Sequence, residues 1–142
     1  MTQYERVLCK MRYWQAILNL QEWELQLKIV SQADLKKITQ GDCWACIVYV
    51  MTQHTATVYI DQDLDPAREH FVILHELLHL VTGTMNLMTE ITSILLPKST
   101  QIVINQMWDD ALETAINRID KSLLQLYKSL RKQGETNEKK IS

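Results

Sequence analysis

The chain is short of the residues that mark unusual architectures. Among its 142 residues there are three glycines, two prolines and one phenylalanine. So little glycine and proline excludes collagen-like and low-complexity chains. Its cysteines, Cys9, Cys43 and Cys46, are too few and odd in number for a disulfide framework, and point to a reducing compartment. Neither sign of charge dominates: 15 Lys and Arg stand against 17 Asp and Glu, for a net charge of −2. That balance lacks the electrostatic footprint of a nucleic-acid binder. No apolar run approaches the roughly 20 residues that span a bilayer. The first residues, Met1 to Arg6, are polar and mixed in charge, unlike a secretory leader. The expectation is a cytoplasmic globular protein with no membrane partner. What is present is 46% apolar and 23% charged, enough for one core in one domain.

Periodicity divides the chain. Val7, Leu8, Met11, Trp14, Ile17 and Leu18 recur at helical steps, so Tyr4 to Leu20 reads as a helix. Trp23, Leu25, Leu27 and Ile29 alternate with polar residues, as in a half-buried strand. Ser31 to Asp42 is a polar connection with room for one helical turn. Cys43–Met51 and Thr55–Ile60 are β-rich, and the short link between them predicts a hairpin. Asp65 and Pro66 suit the start of a helix through Phe71, Leu74, Leu77, Leu78 and Val81, with Gly83 as its C-terminal cap. A short helix follows within Met85–Leu96, stopped by Pro97. A long one runs from about Thr100 to Arg131, striped by Leu112, Ile116, Ile119, Leu123 and Leu130. The expected fold is α+β, with a small antiparallel or mixed sheet of about three strands. Residues 1–131 form the domain, and 132–142 a charged tail expected to be disordered.

One motif carries chemistry. His75-Glu76-Leu77-Leu78-His79 places two imidazoles one turn apart on a helix face, where both can reach one zinc ion. Glu76 is offset around the helix and can act as general base beside the metal. A chance match in this composition is on the order of one in a hundred, and the bland reading is a pair of helix histidines. A catalytic zinc needs a third protein ligand. His70 is rotated off the His75/His79 face and His54 falls in the hairpin turn. Glu113, beside the apolar stripe of the long helix, is the chosen carboxylate, with Asp109 and Glu90 as rivals. Asn117, four residues on, is placed to hydrogen-bond the outer nitrogen of a ligand histidine.

These residues resemble a zincin metallopeptidase. More narrowly, His75-Glu76-x-x-His79 followed by Glu113-x-x-x-Asn117 is similar to the gluzincin pattern. The compact order of elements resembles minimal zincin-like metallopeptidases encoded in phages and bacteria. The resemblance covers roughly Trp23 to Asp120. It lacks both the third histidine of metzincins and a zinc ribbon. It implies Zn²⁺ held by His75, His79 and Glu113, with Glu76 taking a proton from water and passing it to the leaving amine. It also implies a substrate-holding edge strand, matched here to Thr55–Ile60 with Thr57 and Tyr59 at the substrate. For a second oxyanion donor, proximity in sequence points to Tyr59 and His54.

Other features read as structure. Cys43-Trp44-Ala45-Cys46 is one half of a zinc site at most, and lies at a strand start rather than a helix N-terminus. The four tryptophans are dispersed, as in core packing. Two readings compete with a zinc peptidase acting on a peptide or protein. One is a zinc-binding, non-proteolytic module that interacts or oligomerises through the long C-terminal helix. The other is a metal-free helical adaptor.

Overall fold

The computed structural model describes the backbone of residues 1–141, and all side chains except those at positions 84, 87–93 and 136–142. Four α-helices and a three-stranded sheet follow the order α1 (Gln3–Ile17), β1 (Glu24–Val30), α2 (Gln32–Thr39), β2 (Ala45–Val50), β3 (Thr55–Asp61), α3 (Glu69–Ser93) and α4 (Lys98–Ile141). The fold is α+β and the sheet is mixed. Its order is β1-β3-β2, with β1 parallel and β2 antiparallel to β3. No helix among the described residues is long and apolar enough to cross a membrane.

Local chemistry explains the element starts. Thr2 and Glu5 form a reciprocal capping box at α1, and Ser31 caps α2 by accepting from the Asp34 N–H. Asp65 accepts from the Ala67 N–H at 2.9 Å, and Pro66 opens a 3-10 turn that leads into α3. Alternation sets the sheet faces. Leu25 and Leu27 of β1 and Ala56, Val58 and Ile60 of β3 are buried, whereas Glu24, Gln26 and Lys28 are exposed. The buried face packs with Val7, Met11 and Trp14 of α1, Ile73, Leu74, Leu77 and Leu78 of α3, and Leu112 and Ile116 of α4.

Two expectations are corrected. The connection after β1 holds an eight-residue helix, because Leu35 is fully buried and anchors it. Gly83 does not end α3; the helix continues to Ser93 and absorbs most of the short helix expected after it. The glycine serves close packing instead. A Cβ there would lie 2.9 Å from Met51 Sδ and 3.4 Å from the Tyr49 ring. The long helix α4 runs from Lys98 to Ile141, past Arg131. An Arg131–Glu135 pair at 3.4 Å spans the expected boundary.

Candidate metal centre

The buried stretch of α3 fixes His75 and His79. Leu74, Leu77 and Leu78 face the core, so the helix cannot rotate without exposing them. The two imidazoles then lie on one flank, with ring centroids 5.1 Å apart. Burial of Leu112 and Ile116 on α4 turns Glu113 toward them. Its carboxylate stands 3.4 Å from His75 Nε2 through one oxygen and 3.2 Å from His79 Nε2 through the other. One ligand atom from each residue falls within 4.8 Å of the others, so this trio can hold a metal ion. Ligand atoms about 2.0–2.1 Å from a tetrahedral ion stand roughly 3.3 Å from one another, the spacing seen between Glu113 and each histidine.

A further acid fixes the charge pattern. Asp120 is fully buried, and its Oδ2 lies 3.0 Å from His75 Nδ1. An ionised carboxylate only accepts, so with Asp120 charged and the ring neutral the proton sits on Nδ1. In a neutral ring Nε2 is then an unprotonated lone pair facing the Glu113 carboxylate. Either a proton on Nε2 or a cation between the two groups satisfies both. His79 favours the neutral form. Burial lowers its pKa, the Glu113 charge opposes this, and the His75 charge adds to the lowering.

Glu76 sits beside the trio and is 8% exposed. Burial pushes its carboxyl up to about 7; His75 opposes the rise, Glu113 adds to it, and a hydrogen bond from the Ile47 backbone N–H lowers it. That bond ties the acid to the edge of the sheet. The Asp61 N–H donates to the Trp44 carbonyl at 2.9 Å, so along the antiparallel register Trp44, Cys46 and Val48 bond to β3. Ala45, Ile47 and Tyr49 therefore direct their N–H and C=O groups to the open side of β2. These three residues line a cavity of about 440 Å³ together with His75, Glu76, His79 and Glu113.

Several candidates lie elsewhere. Strand β3 is central, with β1 on one side and β2 on the other, so it has no free ladder for a substrate. Thr57 and Tyr59 alternate with the buried Val58 and Ile60 and so lie on the sheet face opposite the one packed with α1, α3 and α4. The edge role expected of Thr55–Ile60 falls to β2. His54 occupies a left-handed turn against Trp23, with ring centroids 5.2 Å apart. Asn117 is half-buried, and among the described residues no hydrogen bond links it to a histidine; Asp120, one turn further on, holds that place. Asp109 is exposed and outside the trio, and the Glu90 side chain lies outside the described residues. His70 accepts from Trp14 Nε1–H at 3.1 Å, away from the trio. The Cys46 thiol is pushed up to about 11, chiefly by burial, with Glu76 and Cys43 adding to the rise, so it is not a thiolate at neutral pH.

Tyr49 was not among the candidates. Its ring lines the cavity, and its hydroxyl oxygen accepts from Asn86 Nδ2 at 3.5 Å, while Trp108 Nε1–H donates to Asn86 Oδ1 at 2.9 Å. Strand parity is the signal that finds it, because Tyr49 shares a face with Ala45 and Ile47.

The chain matches no family model, no curated protein and no solved structure.

Proposed function

We propose that the protein is a zinc-dependent peptidase of the zincin type, gluzincin-like in its ligand set. The observation that carries this reading is the convergence of His75, His79 and the Glu113 carboxylate, with ligand atoms close enough to share one ion and a buried acid beside His75. Two nitrogens and one carboxylate oxygen are a donor set that zinc takes, and three protein ligands leave a fourth position open. Zinc bound there supplies Lewis acidity toward a peptide carbonyl and lowers the pKa of water toward about 7.

The chain's own residues do the rest. Asp120 keeps the proton on His75 Nδ1 and so presents Nε2. Glu76 takes a proton as the water oxygen bonds to the carbonyl carbon. It returns that proton to the amine nitrogen as the C–N bond breaks. The Tyr49 hydroxyl can donate to the oxygen that becomes negative. The open edge of β2 can align an extended peptide through the backbone groups of Ala45 and Tyr49.

Protein purified without added metal is expected to contain about one zinc per chain and to cleave an unstructured protein such as casein. Glu76→Gln should retain the zinc and lose turnover by a factor of about 10² or more. Loss of metal in that variant, or cleavage equal to wild type, would falsify the assignment. A second reading, a metal-binding module without proteolysis, is favoured by the exposed apolar residues Ile94, Leu95, Ile102, Val103 and Met107 around the start of α4. It requires bound zinc with no cleavage in the wild-type protein.

A further inference from the structure

The cavity beside the histidines shares two lining residues with a neighbouring one. These are Asp42 and Cys43, and the second cavity, of about 450 Å³, is also lined by Gln32, Trp44, Asp61 and Asp63. We propose that this second cavity is a subsite for the cationic side chain, lysine or arginine, of a peptide lying in the first. The proposal rests on the peptidase reading for its substrate, while its physical basis lies in separate residues.

The walls offer acceptors. Asp61 is 4% exposed; one of its carboxylate oxygens accepts from the Asp63 N–H at 3.0 Å, and the other has no donor among the described residues. That second oxygen keeps solvent access in an otherwise buried side chain that lines the cavity. Gln32 directs its amide donor to Asp42. Asp63 is exposed and carries no ion pair. Two cations of the chain lie nearby. Lys36 is engaged by Asp42 at 2.8 Å, and Arg68 lies over the Trp44 ring at 5.8 Å. Neither forms an ion pair with Asp61 or Asp63. A ligand's ammonium or guanidinium can donate to such a carboxylate oxygen in a charge-assisted hydrogen bond. Trp44, 48% exposed, is the aromatic part of the wall, with Arg68 over its ring.

The spacing favours a side chain over a bare ion. Among the described residues only His75, His79 and Glu113 bring ligand atoms together closely enough for one metal. An ammonium or guanidinium brings several donors of its own and can bridge acceptors that stand further apart.

The test uses the zinc-loaded full chain and a set of uncharged fluorogenic peptides, each carrying one lysine at a different position, with glutamine counterparts. At one position lysine is expected to raise kcat/KM about tenfold over glutamine. Asp63→Asn should cut that preference to about twofold, and Asp61→Asn should abolish it. Asp61 also supports the turn after β3, so the exposed Asp63 carries the test alone if Asp61→Asn does not fold. The same peptides titrated onto Glu76→Gln, read by tryptophan fluorescence, give a readout independent of turnover. Lysine-dependent binding that weakens in Asp63→Asn, without any cleavage by wild type, would leave the subsite standing and remove the peptidase reading. Equal binding of lysine and glutamine peptides at every position overturns the subsite, as does binding of neither. Heat stabilisation by millimolar Ca²⁺ that Asp63→Asn abolishes, without peptide discrimination, marks a metal site and overturns it too.

Discussion

Each ring nitrogen of His75 faces a carboxylate, Asp120 at 3.0 Å on Nδ1 and Glu113 at 3.4 Å on Nε2. The two acids do different work. Asp120 is buried and sets the tautomer, while Glu113 is half-exposed and can move to meet an ion. Removing the Asp120 charge frees the proton to migrate to Nε2, where it blocks coordination. Asp120→Asn is therefore expected to weaken zinc binding about 10- to 100-fold, measured by competition with a chromophoric chelator, whereas Asn117→Ala should leave it within about twofold. The sequence pattern was informative up to a point. His75, Glu76, His79 and Glu113 were legible from helical spacing, because each lies next to an apolar stripe that sets its direction. Asp120 was not, because it occupies a place in the stripe itself, four residues after Ile116, where an apolar residue is expected. Ile119, read as part of that stripe, is 42% exposed, so the buried face runs through Asp120 instead.

At the scale of elements, the site depends on how α3 meets its neighbours. Gly83 lets Met51 and Tyr49 approach the helix one turn beyond His79. Gly83→Leu should drive both side chains away, cost about 1–3 kcal/mol in chemical denaturation, and disturb the cavity that Tyr49 lines. From sequence, this glycine looked like a helix end, since a residue without a Cβ marks either a left-handed cap or a close contact, and only the tertiary fold decides between them. The strands show the same division. Their existence and faces followed from alternation, but β3 lies centrally because β1 joins it in parallel across α2, a long-range pairing that periodicity does not encode. At the other end of the sheet-facing layer, Glu69 ties α3 to α1. It is fully buried, accepts from Arg6 at 2.9 Å, and also pairs with Lys10. Burial raises its pKa, but the hydrogen bonds from Arg6 and Lys10 more than offset this, and the net shift is downward. A carboxyl whose folded pKa is depressed stabilises the fold above its ordinary value of 4.5 and loses that contribution as the pH falls through the folded value. Glu69→Gln should therefore cost about 1–3 kcal/mol at pH 7 and flatten the decline in stability below pH 4.5, read as urea midpoints across pH.

For the whole molecule, the ion and the fold are linked. His75 and His79 belong to α3 and Glu113 to α4, and these are joined at Ser93–Lys98 by a short connection. Below the site α4 has a buried apolar seam with the rest of the core, but at Glu113 the contact between the helices is polar, two imidazoles against one carboxylate. An ion held there would cross-link the two helices. Zinc does not find the three ligands assembled in the unfolded chain, so its binding free energy adds to folding stability. At free zinc one hundred times the dissociation constant the gain is about 2.7 kcal/mol. For a chain of 142 residues this raises Tm by about 5–10 °C, and a chelator should reverse it. His79→Ala and Glu113→Gln should remove most of the zinc-dependent rise, since each deletes a ligand. Glu76→Gln should keep it, since the carboxyl lies beside the ion. Retention of the shift in Glu76→Gln together with its loss in Glu113→Gln separates the base from the third ligand without any substrate. A shift of equal size in all three variants would place the zinc elsewhere on the chain.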